Sequence, residues 1–153
     1  SMKNNVRCRV IGEKSRLSAD IQKAIQNLEE TTAENTGLNF TIAINYGSRD
    51  EITRAVRKVA QKCVDGTIRP DEITEADIQK ALDTAELPDP DLLIRTCGEQ
   101  RISNFLLWQC AYTEFYYTDI AWPDFDKAEL EKAIAAYGKR DRKYGGLKKD
   151  AKE

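Results

Sequence analysis

Twenty residues, Asp91–Cys110 (DLLIRTCGEQRISNFLLWQC), constrain this chain more tightly than any other stretch. Leu92, Leu93 and Ile94 form a short unbroken apolar run, the pattern of a strand buried on both faces of a sheet. Pro88 and Pro90, just upstream, end the helix before it. The chain then leaves with Arg95, turns at Gly98 and presents Glu99, Arg101 and Ser103. Asn104–Gln109 reads as a helix whose start is capped by Ser103 or Asn104. The result is a strand, a charged turn and an aromatic-rich helix in immediate succession.

Polar groups gathered where a strand gives way to a helix have a defined place in α/β proteins. Ligands bind in the crevice at the carboxyl ends of parallel strands, beside helix N-termini. Two guanidiniums, a hydroxyl and backbone N–H groups there form a receptor for an anion, phosphate above all. The alternative is that Arg95 and Arg101 pair with nearby acids and only solubilise a loop. Local chemistry alone leaves both open.

The rest of the chain repeats the strand–turn–helix order. Val6–Ile11 alternates apolar and basic residues as a strand does, and Gly12 ends it. Ser18 caps a helix with Ile21, Ile25, Leu28 and Thr32 along one face, stopping at Gly37. Phe40–Tyr46 is a β-branched and aromatic strand. Ser48 and Glu51 then have capping-box spacing, and Ile52, Val56, Val59 and Cys63 form the expected buried stripe of the next helix. Thr74 and Asp77 open a short helix with Ile78 and Leu82 inward. Glu114–Ile120 reads as a fourth strand. Asp126 with Glu129 starts a last helix carrying Leu130, Ile134 and Tyr137, closing near Gly145 and Gly146. Strands alternating with helices predict an α/β fold: one layer of mostly parallel sheet, about four strands, flanked by five helices. Residues 1–153 read as one domain.

Composition excludes several function classes. The chain has 153 residues, 33% of them charged, and a net charge of −2, so no global field draws it to nucleic acid. No apolar stretch approaches the roughly 18 residues that span a bilayer, and no secretory signal opens the chain, which points to the cytoplasm. There is no histidine, which rules out Ser-His and Cys-His nucleophilic machinery, and the four cysteines lack C-x-x-C spacing. Cys8, Cys63 and Cys110 sit in apolar patterns as core thiols, whereas Cys97 lies in the charged turn.

RTCGEQRISNFLLWQ, followed by AYTEFYYTDIAWPDF, closely resembles the C-terminal signature of the cis-prenyltransferases, the undecaprenyl diphosphate synthase family. The likeness runs upstream through Arg9–Ser18 and Asn39–Ile52 and downstream through Lys139–Gly146. Cys97 stands where the family usually has glycine, and Ser48 replaces the second glycine of N-Y-G-G-R. The D-G-N-G-R-W-A segment with which the family begins does not occur, so the chain is expected to be the C-terminal part of such an enzyme, a partial cis-prenyltransferase fold.

The resemblance implies an isoprenyl transferase that condenses isopentenyl diphosphate with an allylic diphosphate in cis, feeding lipid-carrier synthesis for the cell wall. It implies that Arg95, Arg101 and Ser103 bind the isopentenyl diphosphate, and that Glu114 helps hold Mg²⁺. Glu114 could equally be an exposed glutamate preceding an edge strand. Glu99 assists Arg101 or braces it. Asn45, Gly47 and Arg49 line the same crevice, or Arg49 pairs with Asp50 or Glu51. The aromatics and aliphatics between Phe105 and Trp122 are too many for one small core; the family uses this region in its homodimer, with ordinary core packing as the alternative. Membrane association is expected only peripherally, through the lipid product. The rival function is a non-catalytic partner subunit of a heteromeric cis-prenyltransferase. In the family the strand at Val6–Ile11 pairs with strands from the absent part, so its outer edge is expected to be bare and open to association.

Overall fold

The computed structural model describes residues 4–140, which form two compact units. The first runs to Pro88 and includes Asn104–Leu106; the second takes Asp89–Ser103 and the residues from Leu107 onward.

In the first unit, β1 (Arg7–Ile11) and β2 (Asn39–Ala43) pair in parallel, Arg7 opposite Asn39 and Ile11 opposite Ala43. Parallel neighbours need a crossover, supplied by α1 (Ala19–Thr32). β1 carries the core residues Cys8, Val10 and Ile11, against which α1 lays Ile25 and the fully buried Thr32. α2 (Ser48–Val64) follows β2 and packs on α3 (Glu75–Ala81). The Thr74–Asp77 capping box forms as the sequence predicts. The Ser48–Glu51 box does not. Gly47 is the N-cap, and Glu51 lies 1% exposed inside the unit.

In the second unit, β3 (Leu92–Arg95) and β4 (Glu114–Tyr117) pair in parallel, Leu92 opposite Glu114 and Arg95 opposite Tyr117. α4 (Lys127–Gly138) starts where Asp126 accepts the Glu129 N–H, and it packs on β4, with Ala133 buried. It ends at Gly138; Gly145 and Gly146 lie outside the described residues.

The α/β class and the parallel strands are as expected, but the four strands form two separate pairs instead of one sheet. Alternation and apolar runs reveal that a segment is a strand; they do not reveal which of its two edges finds a partner. Leu92, Leu93 and Ile94 are half-buried, so this strand is not the fully covered one that its apolar run predicts. The helix expected over Asn104–Gln109 is absent. Ser103, Asn104 and Leu106 have φ of 49°, 61° and 48°, and left-handed residues cannot continue a right-handed helix. The described residues therefore hold four α-helices, with short 3₁₀ turns at Lys14–Arg16, Pro70–Glu72 and Trp122–Asp124. Cys8 and Cys110 are buried, as core thiols should be; Cys63 is only partly covered. None of these helices is long and apolar enough to cross a membrane.

Candidate anion-binding site

Arg95 is the last residue of β3, so its half-buried side chain stands at the carboxyl end of a parallel strand pair. The turn that follows is tied to the segment after β4. Thr118 donates its N–H to the Arg95 carbonyl at 3.0 Å, Cys97 to Ile120 at 2.9 Å, and Gly98 to Thr118 at 3.0 Å. Cys97 and Gly98 both take left-handed φ, 63° and 67°, which lets the backbone reverse within two residues. A Cβ on Gly98 would come 3.0 Å from Asp119 Oδ1. The loop after β3 is thus built on the loop after β4, with Arg95, Glu99, Arg101 and Ser103 along it.

Arg101 forms an ion pair with Glu99, and its side chain remains 65% exposed. Glu99 therefore holds the second guanidinium in the resting molecule. Among the described residues, the Arg95 guanidinium has no ion-pair partner. Ser103 is exposed, with left-handed backbone. Because no helix begins at Asn104, an anion here would rest on the guanidiniums and the hydroxyl, without the helix N-terminus expected at that residue.

Glu114 occupies the other end of the same pair. It opens β4 opposite Leu92, and its carboxylate accepts from Arg140 Nη1 at 2.5 Å. Three residues of strand, about 10 Å, separate its row from the Arg95 row. Among the described residues no three acidic or thiol groups come together as a metal cage. Mg²⁺ wants near-octahedral oxygen ligation from carboxylates, phosphates and water. Glu114 would supply one such carboxylate, and in this structure the Arg140 guanidinium engages it.

In the first unit, Asn45 (φ 48°) follows β2 and donates its amide to the Glu13 carbonyl at 2.9 Å, which ties two loops together. Asn104 caps α2: its carbonyl accepts from Ser48 N–H at 2.8 Å and its Oδ1 from Arg49 N–H at 2.9 Å. The start of α2 is therefore occupied by protein, while the Arg49 side chain points out exposed. Tyr46 packs edge-on against Phe105 with ring centroids 5.7 Å apart, and its hydroxyl donates to Glu51. Burial first, then that carboxylate, push the Tyr46 hydroxyl well above its ordinary value. Glu51 also accepts the Asp83 N–H at 2.9 Å. Asp83 in turn holds Arg54 through two bonds of 2.7 and 2.8 Å.

Sequence reading missed three of these parts: the Asn104 cap, the buried Glu51 and the Arg54–Asp83 clamp. The Ser48–Glu51 spacing marked the right glutamate but the wrong partner. Nothing local signals the clamp, whose members are 29 positions apart.

The family described as "Putative undecaprenyl diphosphate synthase" matches residues 1–145. An isoprenyl transferase of Rhizobium meliloti is 51% identical over 145 residues, 95% of this chain and 59% of the relative. A farnesyl-diphosphate-specific ditrans,polycis-undecaprenyl-diphosphate synthase of Haemophilus ducreyi is 51% identical over 144 residues, covering 94% and 60% of the two chains. Among solved structures, the lavandulyl diphosphate synthase of Lavandula x intermedia, in complex with dimethylallyl diphosphate, superimposes with a TM-score of 0.89 at 46% identity. That match covers 92% of this chain and 60% of the other. A "probable undecaprenyl diphosphate synthase" from Campylobacter jejuni gives 0.80 at 38% identity, over 94% and 65%. The fold is that of the prenyl transferase class. The chain belongs to the undecaprenyl diphosphate synthase family, and it spans about three-fifths of the length of the relatives it matches.

Proposed function

We propose that this chain carries the isopentenyl diphosphate side of a cis-prenyltransferase. The observation that supports this reading is the placement of Arg95, Arg101 and Ser103 along one loop at the carboxyl end of the β3–β4 pair. Guanidinium forks match diphosphate oxygens in pairs, and a hydroxyl adds a neutral donor. In the whole reaction the allylic C–O bond breaks and diphosphate leaves, the isopentenyl double bond attacks the freed carbon, and the resulting cation loses a proton to form the new double bond. This chain's residues would bind and orient the isopentenyl diphosphate; Glu99 would release Arg101 as the substrate arrives. Mg²⁺ belongs to the reaction by resemblance; Glu114, here paired with Arg140, would offer it one carboxylate, and the bound ion would stabilise the charge on the leaving diphosphate.

The same engagement of Glu114 favours the second reading, a subunit that binds substrate and supports a catalytic partner. Dimerisation through the region Phe105–Trp122 is part of both; Tyr112 and Trp122 there are 74% and 72% exposed.

Calorimetry of the chain with isopentenyl diphosphate tests the site. Arg101→Ala should weaken binding by about 1.5–3 kcal/mol, the range for a hydrogen bond to a charged group. Equal affinity in wild type and variant refutes it. Labelled isopentenyl diphosphate with farnesyl diphosphate and Mg²⁺ should give no product from this chain alone, because loss of a positioned partner forfeits a proximity term of about 7–11 kcal/mol. Product from a mixture with the portion of a relative that this chain does not match supports the enzyme reading.

A further inference from the structure

In the β1–β2 register Arg7 opposes Asn39, so Arg7, Arg9 and Ile11 bond to β2 while Cys8, Val10 and Gly12 turn their backbone groups the other way. Those outward N–H groups are not bare. Cys8 donates to Thr32 Oγ1 at 3.0 Å, Val10 to Glu29 Oε1 at 2.8 Å and Gly12 to Asp83 Oδ2 at 3.1 Å. Each acceptor is itself fixed. The Thr32 hydroxyl donates to the Leu28 carbonyl at 2.8 Å, Glu29 takes Lys14 Nζ at 2.8 and 3.1 Å, and Asp83 takes both prongs of Arg54. One residue further out, Asn35 Nδ2 covers the Val6 carbonyl at 2.8 Å. Glu29, Thr32 and Asn35 recur every third residue along α1 and its end, facing every second residue of the strand.

We propose that this row is a side-chain guard that closes the outer edge of β1 to strand addition by a second copy of this chain. An open edge would offer its N–H groups as a template for another strand. Here a copy would have to displace a braced acceptor, the buried hydroxyl or one of the two carboxylates, for each of these ladder bonds that it gained. The guard does not depend on the prenyl-transfer reading, since its residues belong to the first unit and the Arg95 loop to the second.

The test uses the whole chain and removes one acceptor at a time. In Glu29→Ala the Val10 amide should exchange with deuterium about tenfold faster or more, the scale of one lost hydrogen bond. Sedimentation should show association beyond that of the wild type at matched concentration. Glu29→Gln keeps an acceptor oxygen and should match the wild type in both readouts. If Glu29→Ala does not fold, Thr32→Val, which removes the hydroxyl at nearly constant shape, is read the same way at the Cys8 amide. Both changes are required: faster exchange without added association, or unchanged exchange, overturns the guard.

Discussion

Removing the Arg54 guanidinium should be among the most damaging single changes to the first unit. Nη1 and Nη2 grip Asp83 at 2.7 and 2.8 Å, and Nε reaches Asp50 at 2.9 Å. The Arg54 and Asp83 side chains keep only 20% and 13% of their exposure, whereas Asp50 keeps 46%. The two pairs therefore carry different weight. The exposed Arg54–Asp50 pair is worth about 0.3–0.5 kcal/mol. Removing one partner of a buried pair costs about 3–5 kcal/mol, because the other charge is left in place without compensation. Residual exposure lets water reach Asp83 and trims that figure. We expect Arg54→Met, which keeps the stem and loses the charge, to cost about 2–4 kcal/mol.

The pH dependence checks the cause. Burial pushes the Asp83 carboxyl up, but hydrogen bonds from Arg54, its charge and the Gly12 N–H outweigh burial and hold it below the ordinary carboxylate range. A depressed folded value means that the stability is present above the unfolded carboxyl, about 3.9, and is lost as pH falls through the lower folded value. The gap between wild type and Arg54→Met should be full at neutral pH and should narrow below about pH 4. Urea titrations followed by helical circular dichroism suit this unit, which holds three of the four helices; both tryptophans lie in the other. A cost under about 0.5 kcal/mol at neutral pH, or a gap that stays constant into acid, would refute the reasoning.

Two further changes separate backbone from side-chain effects. Asn104→Ala loses the Arg49 cap and places alanine at φ 61°, for a combined cost of about 1–3 kcal/mol; Asn104→Gly tolerates that φ and should cost less, measured in the same titration. Gly98→Ala puts a Cβ at φ 67° and 3.0 Å from Asp119 Oδ1, and should destabilise the second unit by about 1–2 kcal/mol, read by tryptophan fluorescence.

The sequence revealed elements better than it revealed faces. All four strands and the helices α1 to α4 occur in the segments where alternation and caps place them, because those signals act within a few residues, but the glycines misplace two ends: α1 stops at Thr32, short of Gly37, and α4 at Gly138, short of Gly145. The buried face of α2 is different. Large apolar residues mark a stripe through Ile52, Val56 and Val59, yet Val56 is 50% exposed while Ala55 is fully buried. Close packing of α2 on α3 selects a small side chain, which carries little hydrophobic signal. The same holds in α4, where Ala133 is buried and Ile134 is 53% exposed. In the charged loop the residue types were legible, but the run of left-handed residues from Ser103 to Leu106 was not. Serine and leucine rarely adopt that backbone; asparagine does so more readily, but Asn104 adopts it while capping a helix 55 positions away, which no local pattern signals.

Glu99 can either compete with substrate for Arg101 or hold it in place, and the magnitudes favour competition. The pair is exposed, 65% at Arg101 and 36% at Glu99, so it is worth about 0.2–1 kcal/mol. A diphosphate oxygen bonded to the same guanidinium is worth about 1.5–3 kcal/mol. Substrate should therefore win Arg101 from Glu99, losing only the smaller sum. If Glu99 acts purely as a competitor, Glu99→Gln returns that sum, and isopentenyl diphosphate should bind up to about fivefold more tightly. The gain should shrink in high salt, which screens the exposed pair along with the ligand charge. If Glu99 instead holds Arg101 in the geometry that substrate needs, the amide loosens the guanidinium and affinity falls. Calorimetry of Glu99→Gln at two salt concentrations reads the sign directly: weaker binding refutes the competitor role and makes Glu99 a positioning residue.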